Sequence, residues 1–224
     1  MKREILLVDD DRLLLESLGR LLAEAGYAVR TARDGDRALR EIRRQRPDLL
    51  LLDVSMSRMC GLEVCRRIRE TDRSLPIVFL TALESPADEL KGLSSGGDLY
   101  IPKSTADEVL LARLAAVMRP REEVGSADSF DFRGWRIEGA KLTARSPQGR
   151  TVALTEREVL LLRLFAMHPG EVFDRDALFT RIWGVEASPA DNSLSALVYN
   201  VRRKLGHTGV AIEAVRGVGY VFRP

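Results

Sequence analysis

The sequence predicts an α/β domain built on a five-stranded parallel sheet, followed by a smaller α+β domain, and three observations carry that reading. Five short apolar runs alternate with amphipathic stretches through the first half. A segment without periodicity interrupts the chain near residue 120, and the second half opens strand-like, turns helical and closes on a hairpin pattern. At 224 residues the chain is long enough for two domains that each bury a core.

The apolar runs are Ile5 to Val8, Ala28 to Ala32, Leu49 to Leu52, Ile77 to Leu80 and Leu99 to Ile101, each short enough for a buried strand. Between them lie helical patterns. One carries Leu14, Leu18, Leu21, Leu22 and Ala25 and stops at Gly26; another carries Ala38, Leu39 and Ile42 and stops before Pro47. Strands alternating with helices imply parallel pairing, because parallel neighbours need crossover connections. A last helix is expected from about Ala106 to Met118. The stretch RPREEVGSADS, residues 119–129, mixes Pro, Gly, Ser and charge. The linker falls in it at 121–128, giving domains at 1–120 and 129–224.

In the second domain Phe130 to Leu154 reads as strands, with turns at Gly139 and at Pro147-Gln148-Gly149. Thr155 and Glu158 form a capping box ahead of a helix with Leu160, Leu161, Leu164 and Phe165. Asp174 can cap a second helix, ended by Gly184, and Ser188, Pro189 and Asp191 suit the start of a third. The closing AIEAVRGVGYVFRP reads as two arms around a glycine turn.

Composition excludes several classes. Hydrophobic residues make up 45% and charged residues 30%, as in a globular protein. No apolar run approaches the ~18 residues that span a bilayer, and the start, MKREILLVDDD, is too acidic for a secretory signal, so a cytoplasmic protein with no membrane partner is expected. Cys60 and Cys65, five apart, match no common zinc or redox spacing. His168 and His207 have no acid or nucleophile arranged around them by a recognisable motif. Residues 128–224 carry 14 Lys+Arg against 11 Asp+Glu, a net +3, which leaves −1 for residues 1–127; the asymmetry hints at nucleic acid for the second half.

Ligands of open parallel sheets bind beyond the carboxyl ends of the strands, where strand order reverses. There the first strand carries Asp9, Asp10 and Asp11, the third Asp53, the fourth Thr81, and the fifth runs Tyr100, Ile101, Pro102, Lys103. Singly, these residues read as helix caps, a turn starter and a solvated lysine; jointly they suit a hard cation such as Mg²⁺ with phosphoryl oxygens beside it. The chemistry that fits is an aspartyl phosphate, with Asp53 as nucleophile and Lys103 offsetting charge.

The segments VDDD at 8–11, LLLLD at 49–53, IVFLTA at 77–82 and GGDLYIPK at 96–103 resemble the receiver domain of two-component response regulators, a flavodoxin-like fold. The resemblance implies that Asp53 accepts a phosphoryl group from a sensor histidine kinase. It further implies that Asp9 and Asp10 place Mg²⁺ with the Ser55 carbonyl, that Thr81 contacts the phosphoryl group, and that Tyr100 turns inward as a switch. The chain departs from the family pattern at Ser57, Arg58 and Cys60 in the loop after Asp53, at Ser104 where a cis-linked Pro is usual, and at Thr105 where Phe is usual. A trans Lys103–Ser104 bond is expected, because a cis bond costs on the order of 3 kcal/mol there, and with it some displacement of the lysine. The family's dimer face would involve Lys91, Leu99, Val109, Arg113 and Arg119; Leu99 and Val109 replace acids, so a more apolar or shifted face is expected.

From Leu194 the apolar residues Leu194, Leu197, Val198, Val201 and Leu205 form one helical stripe. The opposite face would present Asn192, Ala196, Tyr199, Asn200 and Arg203, with Ser193 beside it and Arg202 and Lys204 flanking it, a set suited to the major groove. The segments LTEREVLLLRLF, HPGEVFDRDALFTRIWG, VRRKL and VRGVGYVF resemble the winged helix-turn-helix effector of the OmpR/PhoB group. That resemblance implies a helix in the major groove, Arg216 in the minor groove, and phosphate contacts supported by Trp183 and the Arg202, Arg203, Lys204 cluster. Asn192, Ser195 and Leu197 stand where relatives carry Arg, Asp and His, which implies a different base preference.

The resulting expectation is a transcription regulator and not an enzyme, controlled by phosphorylation, with Mg²⁺, promoter DNA, a cognate kinase, RNA polymerase and a second copy as partners. Two alternatives stand beside it: a DNA-binding protein whose receiver serves only as a dimerisation module, and a Mg²⁺-dependent phosphatase using Asp53.

Overall fold

The computed structural model describes residues 2–82, 95–118, 129–184, 193–206 and 211–224. Lys91, Arg119, Asn192, the linker at 121–128, His207 and the expected cap at Ser188, Pro189 and Asp191 lie outside them. The chain divides into two compact units, Met1–Met118 and Arg119–Pro224.

The first unit runs β1 (Glu4–Val8), α1 (Arg12–Glu24), β2 (Ala28–Ala32), α2 (Gly35–Arg44), β3 (Leu49–Leu52), α3 (Gly61–Thr71), β4 (Ile77–Thr81), β5 (Leu99–Pro102) and α4 (Asp107–Val117). The strands pair in the order β2-β1-β3-β4-β5, all parallel. The order reverses between β1 and β3, where Val8 pairs with Leu52, so Asp9 and Asp53 leave the sheet side by side. The four leucines of β3 are wholly buried, each burial contributing roughly 1.5–3 kcal/mol, so the strand cannot slide. Asp11 caps α1, accepting from Leu13 N and Leu14 N, and Asp34 caps α2 through Arg37 N. Cys60 at the start of α3 makes no side-chain cap bond, which forgoes about 1 kcal/mol of helix stabilisation. Every described peptide bond is trans, Lys103–Ser104 included.

The second unit opens with a four-stranded antiparallel sheet, β6 (Ser129–Phe132), β7 (Trp135–Glu138), β8 (Thr143–Arg145) and β9 (Thr151–Ala153), in that order. Then come α5 (Glu156–Met167), β10 (Val172–Asp174), α6 (Arg175–Trp183), α7 (Ser193–Leu205), β11 (Ile212–Val215) and β12 (Gly219–Phe222), with β10-β12-β11 as a second sheet. The Thr155–Glu158 capping box forms, and Asp174 caps α6 through Ala177 N. Phe132 stacks on Phe222 and Phe179 on Trp183, with ring centroids 4.4 and 4.5 Å apart, inside the core. The hairpin β11–β12 is the wing; a side chain at Gly219 would place its Cβ 1.9 Å from the Phe173 carbonyl oxygen, so β10 and β12 approach this closely only with glycine there.

Candidate functional site

At the carboxyl ends of β1 and β3 the carboxylates of Asp9, Asp10 and Asp53 converge, one oxygen from each lying within 4.8 Å of the others. Asp9 and Asp53 are buried, at 2% and 4% exposure, and Asp10 is half-buried. The backbone fixes each acid: Asp53 N donates to Val8 O at 2.9 Å, Asp11 N donates to Asp9 Oδ1 at 2.9 Å, and Ser57 N donates to Asp10 Oδ2 at 2.9 Å. Lys103, from the end of β5, places Nζ 2.7 Å from Asp9 Oδ2 and 3.4 Å from Asp53 Oδ1. With a trans bond to Ser104 the ammonium lies among the acids.

Burial raises the Asp53 carboxyl above its ordinary value; Lys103 pulls against that and Asp9 adds to it. Burial would lower the Lys103 ammonium, but the Asp9 hydrogen bond and the charges of Asp53 and Asp9 outweigh it, and the net direction is upward. Asp53 Oδ1 is buried without a hydrogen bond. Three oxygen donors of like charge, faced by a single ammonium, fit a hard divalent cation. Gly61 completes the frame: a Cβ there would sit 2.1 Å from the Asp53 carbonyl oxygen, so α3 starts against this backbone only because residue 61 has no side chain. Thr81 is wholly buried at the end of β4, and Tyr100 is buried with its ring 6.3 Å from that of Phe79. Ser55 is exposed, while Val54 and Met56 turn inward on either side of it.

In the second unit α7 presents a narrower face than its apolar stripe suggests. Tyr199 and Arg203 are exposed, and the Arg203 guanidinium lies 5.8 Å from the Tyr199 ring centroid. Ser195, one turn earlier, is half-buried. Arg216 is exposed at the wing turn.

Residues 5–115 match the family model "Response regulator receiver domain", and residues 149–222 match "Transcriptional regulatory protein, C terminal". Response regulator MprA of Mycobacterium tuberculosis is 41% identical over 226 residues, spanning 100% of this chain and 98% of that protein. The chain belongs to the response regulators. Among solved structures, a RitR C128D mutant matches this regulator with a TM-score of 0.76 at 28% identity over 99% of both chains. DrrB, a Thermotoga maritima OmpR/PhoB homologue, matches with a TM-score of 0.52 at 27% identity over 100% of both. The regulator thus joins a receiver to an OmpR/PhoB-type DNA-binding domain, and no helix among its described residues is long and apolar enough to cross a membrane.

Several placements expected from the regulator's sequence need correction. Ser193, Ala196 and Asn200 are buried, because the packing on α7 extends past the leucine stripe on its alanine side. Arg202 and Lys204 are half-buried and committed within the domain: Arg202 Nε donates to Ile212 O at 2.9 Å, and Lys204 Nζ pairs with Glu158 Oε2 at 2.6 Å. Trp183 is 1% exposed, stacked in the core. On the expected dimer face Leu99 is buried as part of β5, and Arg113 is buried because it shares an α4 face with Leu110 and Val117; Val109 is exposed. One contributor to the acid cluster escaped the sequence reading: the Ser57 amide, which holds Asp10, carries no side-chain signal.

Proposed function

We propose that the regulator takes a phosphoryl group on Asp53 from a histidine kinase and that this state controls its binding to promoter DNA. The observation that carries the reading is the buried Asp53 carboxylate with one oxygen lacking a hydrogen bond, facing Asp9, Asp10 and Lys103. Asp9, Asp10 and Asp53, with the Ser55 carbonyl, would hold Mg²⁺. When bound, that ion supplies charge neutralisation between the acids and the transferring group.

The Asp53 oxygen attacks phosphorus as the bond to the donor nitrogen breaks, and the departing electron pair stays on the imidazole. Lys103 offsets charge on the phosphoryl oxygens and exchanges part of its contact with Asp9 for contact with them. The Thr81 hydroxyl donates to a phosphoryl oxygen, and the movement this requires is felt by Tyr100 in the neighbouring strand. Ser57, Arg58 and Cys60 leave the acids in register because the Ser57 amide supplies the tie to Asp10.

On α7 the exposed Tyr199 and Arg203, with Ser195, form the reading face, and Arg216 reaches the minor groove from the wing. The regulator acts in the cytoplasm as a dimer contacting RNA polymerase, its receiver pairing through a face that carries Val109. The test is incubation with phosphoramidate and Mg²⁺ followed by peptide mapping. One base-labile, acid-stable phosphoryl group on Asp53, absent when Mg²⁺ is chelated, is expected. No adduct on the folded protein would leave the receiver as a dimerisation module.

A further inference from the structure

Between α1 and β2 the receiver holds a cleft of about 540 Å³ that the phosphoryl chemistry does not use. β2 stands at the end of the sheet order, and among the described residues no strand pairs beyond it. Leu15 of α1 is buried and Val29 of β2 half-buried, and together they give the cleft an apolar floor. Alternation along β2 and its continuation brings Thr31 and Arg33 to the same wall as Val29.

Gly19 opens the space. It lies in the middle of α1, where glycine weakens a helix relative to alanine. Neither usual reason for a helical glycine holds here. Its φ is not left-handed, and a Cβ built on it meets no atom within 4 Å, so nothing presses against the backbone. What the missing side chain leaves is the cleft that residue 19 lines.

The mouth is cationic. Three Arg and one Glu line the cleft, a net +2, and Arg12 is spent on Glu16, with Nε 2.8 Å from Oε1. Arg33 and Arg37 are exposed, and among the described residues neither guanidinium forms an ion pair. The acids beside them in sequence do not change this: Asp34 accepts from Arg37 N at 2.7 Å as the α2 cap, and Asp36 lies exposed in the first turn of α2. Arginines on a flat surface are simply hydrated. Two unpaired guanidinium forks at the rim of a concave apolar space instead leave a place for an acidic group with a body attached.

We propose that this cleft binds a small organic dianion, its acidic group held by Arg33 and Arg37 and its apolar body lying on Leu15 and Val29 beside Gly19. A guanidinium meets phosphate and carboxylate alike through two parallel N–H donors. The Thr31 hydroxyl adds a neutral donor. The site is distinct from the acid cluster, whose charge repels anions, yet the two are joined through the backbone: Asp9 N donates to Ala32 O at 3.2 Å, and Arg33 follows Ala32.

The experiment titrates phenyl phosphate, and phthalate in a parallel arm, into isotope-labelled full-length protein with divalent cations chelated, and follows the backbone amides by NMR. Saturable shifts at Gly19, Val29, Arg33 and Arg37 are expected with at least one of the two, and the stronger arm identifies the acidic group. Inorganic phosphate, which lacks the body, and phenol, which lacks the charge, are expected to bind about tenfold more weakly or worse. Gly19→Leu fills the cleft and is expected to abolish the shifts while folding at least as well as wild type, because leucine favours a helix where glycine does not. Should it not fold, the double variant Arg33→Ala/Arg37→Ala, which changes only exposed side chains, is read in its place with the same expected loss. No saturable shift with either dianion overturns the proposal. So does inorganic phosphate that binds as tightly as the ring-bearing anions, or full binding retained in the folded variant, since either reduces the cleft to surface charge.

Discussion

The acid cluster of the receiver and the exposed face of α7 both read in the sequence as sets of polar residues, yet the fold treats them differently. Asp9, Asp10, Asp53 and Lys103 all arrive at one place. Of the face assigned to the helix, Tyr199 and Arg203 are exposed while Ser193, Ala196 and Asn200 are buried. The difference lies in what sets direction. A residue just beyond a strand end is placed by the ladder, and the Val8–Leu52 pairing leaves Asp9 and Asp53 no other position. A helical residue is placed by whatever packs around the helix, and α7 is covered on more than the side its leucines mark.

The sharpest way to break this contrast is Asp53→Asn, expected to abolish phosphoryl incorporation from small-molecule donors altogether, as read by intact mass. Next is Lys103→Ala, expected to slow adduct formation on the order of 10²-fold through loss of one preorganised charge; a rate within twofold of wild type would remove the lysine from the chemistry. On the DNA side, Arg203→Ala is expected to cost about 1–3 kcal/mol at a selected site in anisotropy titrations. Asn200→Ala is expected to leave DNA affinity unchanged while lowering the melting temperature, since the amide is buried; the reverse pattern would restore the face assigned from sequence.

The smallest effect concerns pH. Burial raises the Asp53 carboxyl in the folded chain, so the stability this group contributes is fully present below its unfolded value of 3.8 and is lost as pH rises through the higher folded value. Asp53→Asn, neutral throughout, should therefore melt above wild type at neutral pH in the absence of divalent cations, with the gap closing on acidification.

How far the sequence could be read follows from the same physics. The five parallel strands are legible because a doubly covered sheet demands short continuous apolar runs, and LLLL at 49–52 has no amphipathic alternative. The capping box at Thr155 and Glu158 is legible because it is a local motif. What escaped depends on groups that sequence patterns do not weigh: a backbone amide at Ser57, a second use of Glu158 as the partner of Lys204, and an alanine on α7 that packs as core. Arg202 and Lys204 look like DNA-binding cations from their charge alone, but their stems and head groups brace the wing and α5. In the loop VSMSRMC the ties from Ser57 N to Asp10 Oδ2 and from Gly61 N to Val54 O draw no side-chain atom from the loop itself, so they do not depend on which side chains it carries.

The most direct measurement compares the affinity of the full-length protein for one selected duplex before and after treatment with acetyl phosphate and Mg²⁺, with Asp53→Asn treated in parallel. The account predicts a change in affinity in the wild type that tracks the extent of the Asp53 adduct, and none in Asp53→Asn. An equal change in both proteins, or an unchanged affinity in a fully modified wild type, would contradict it.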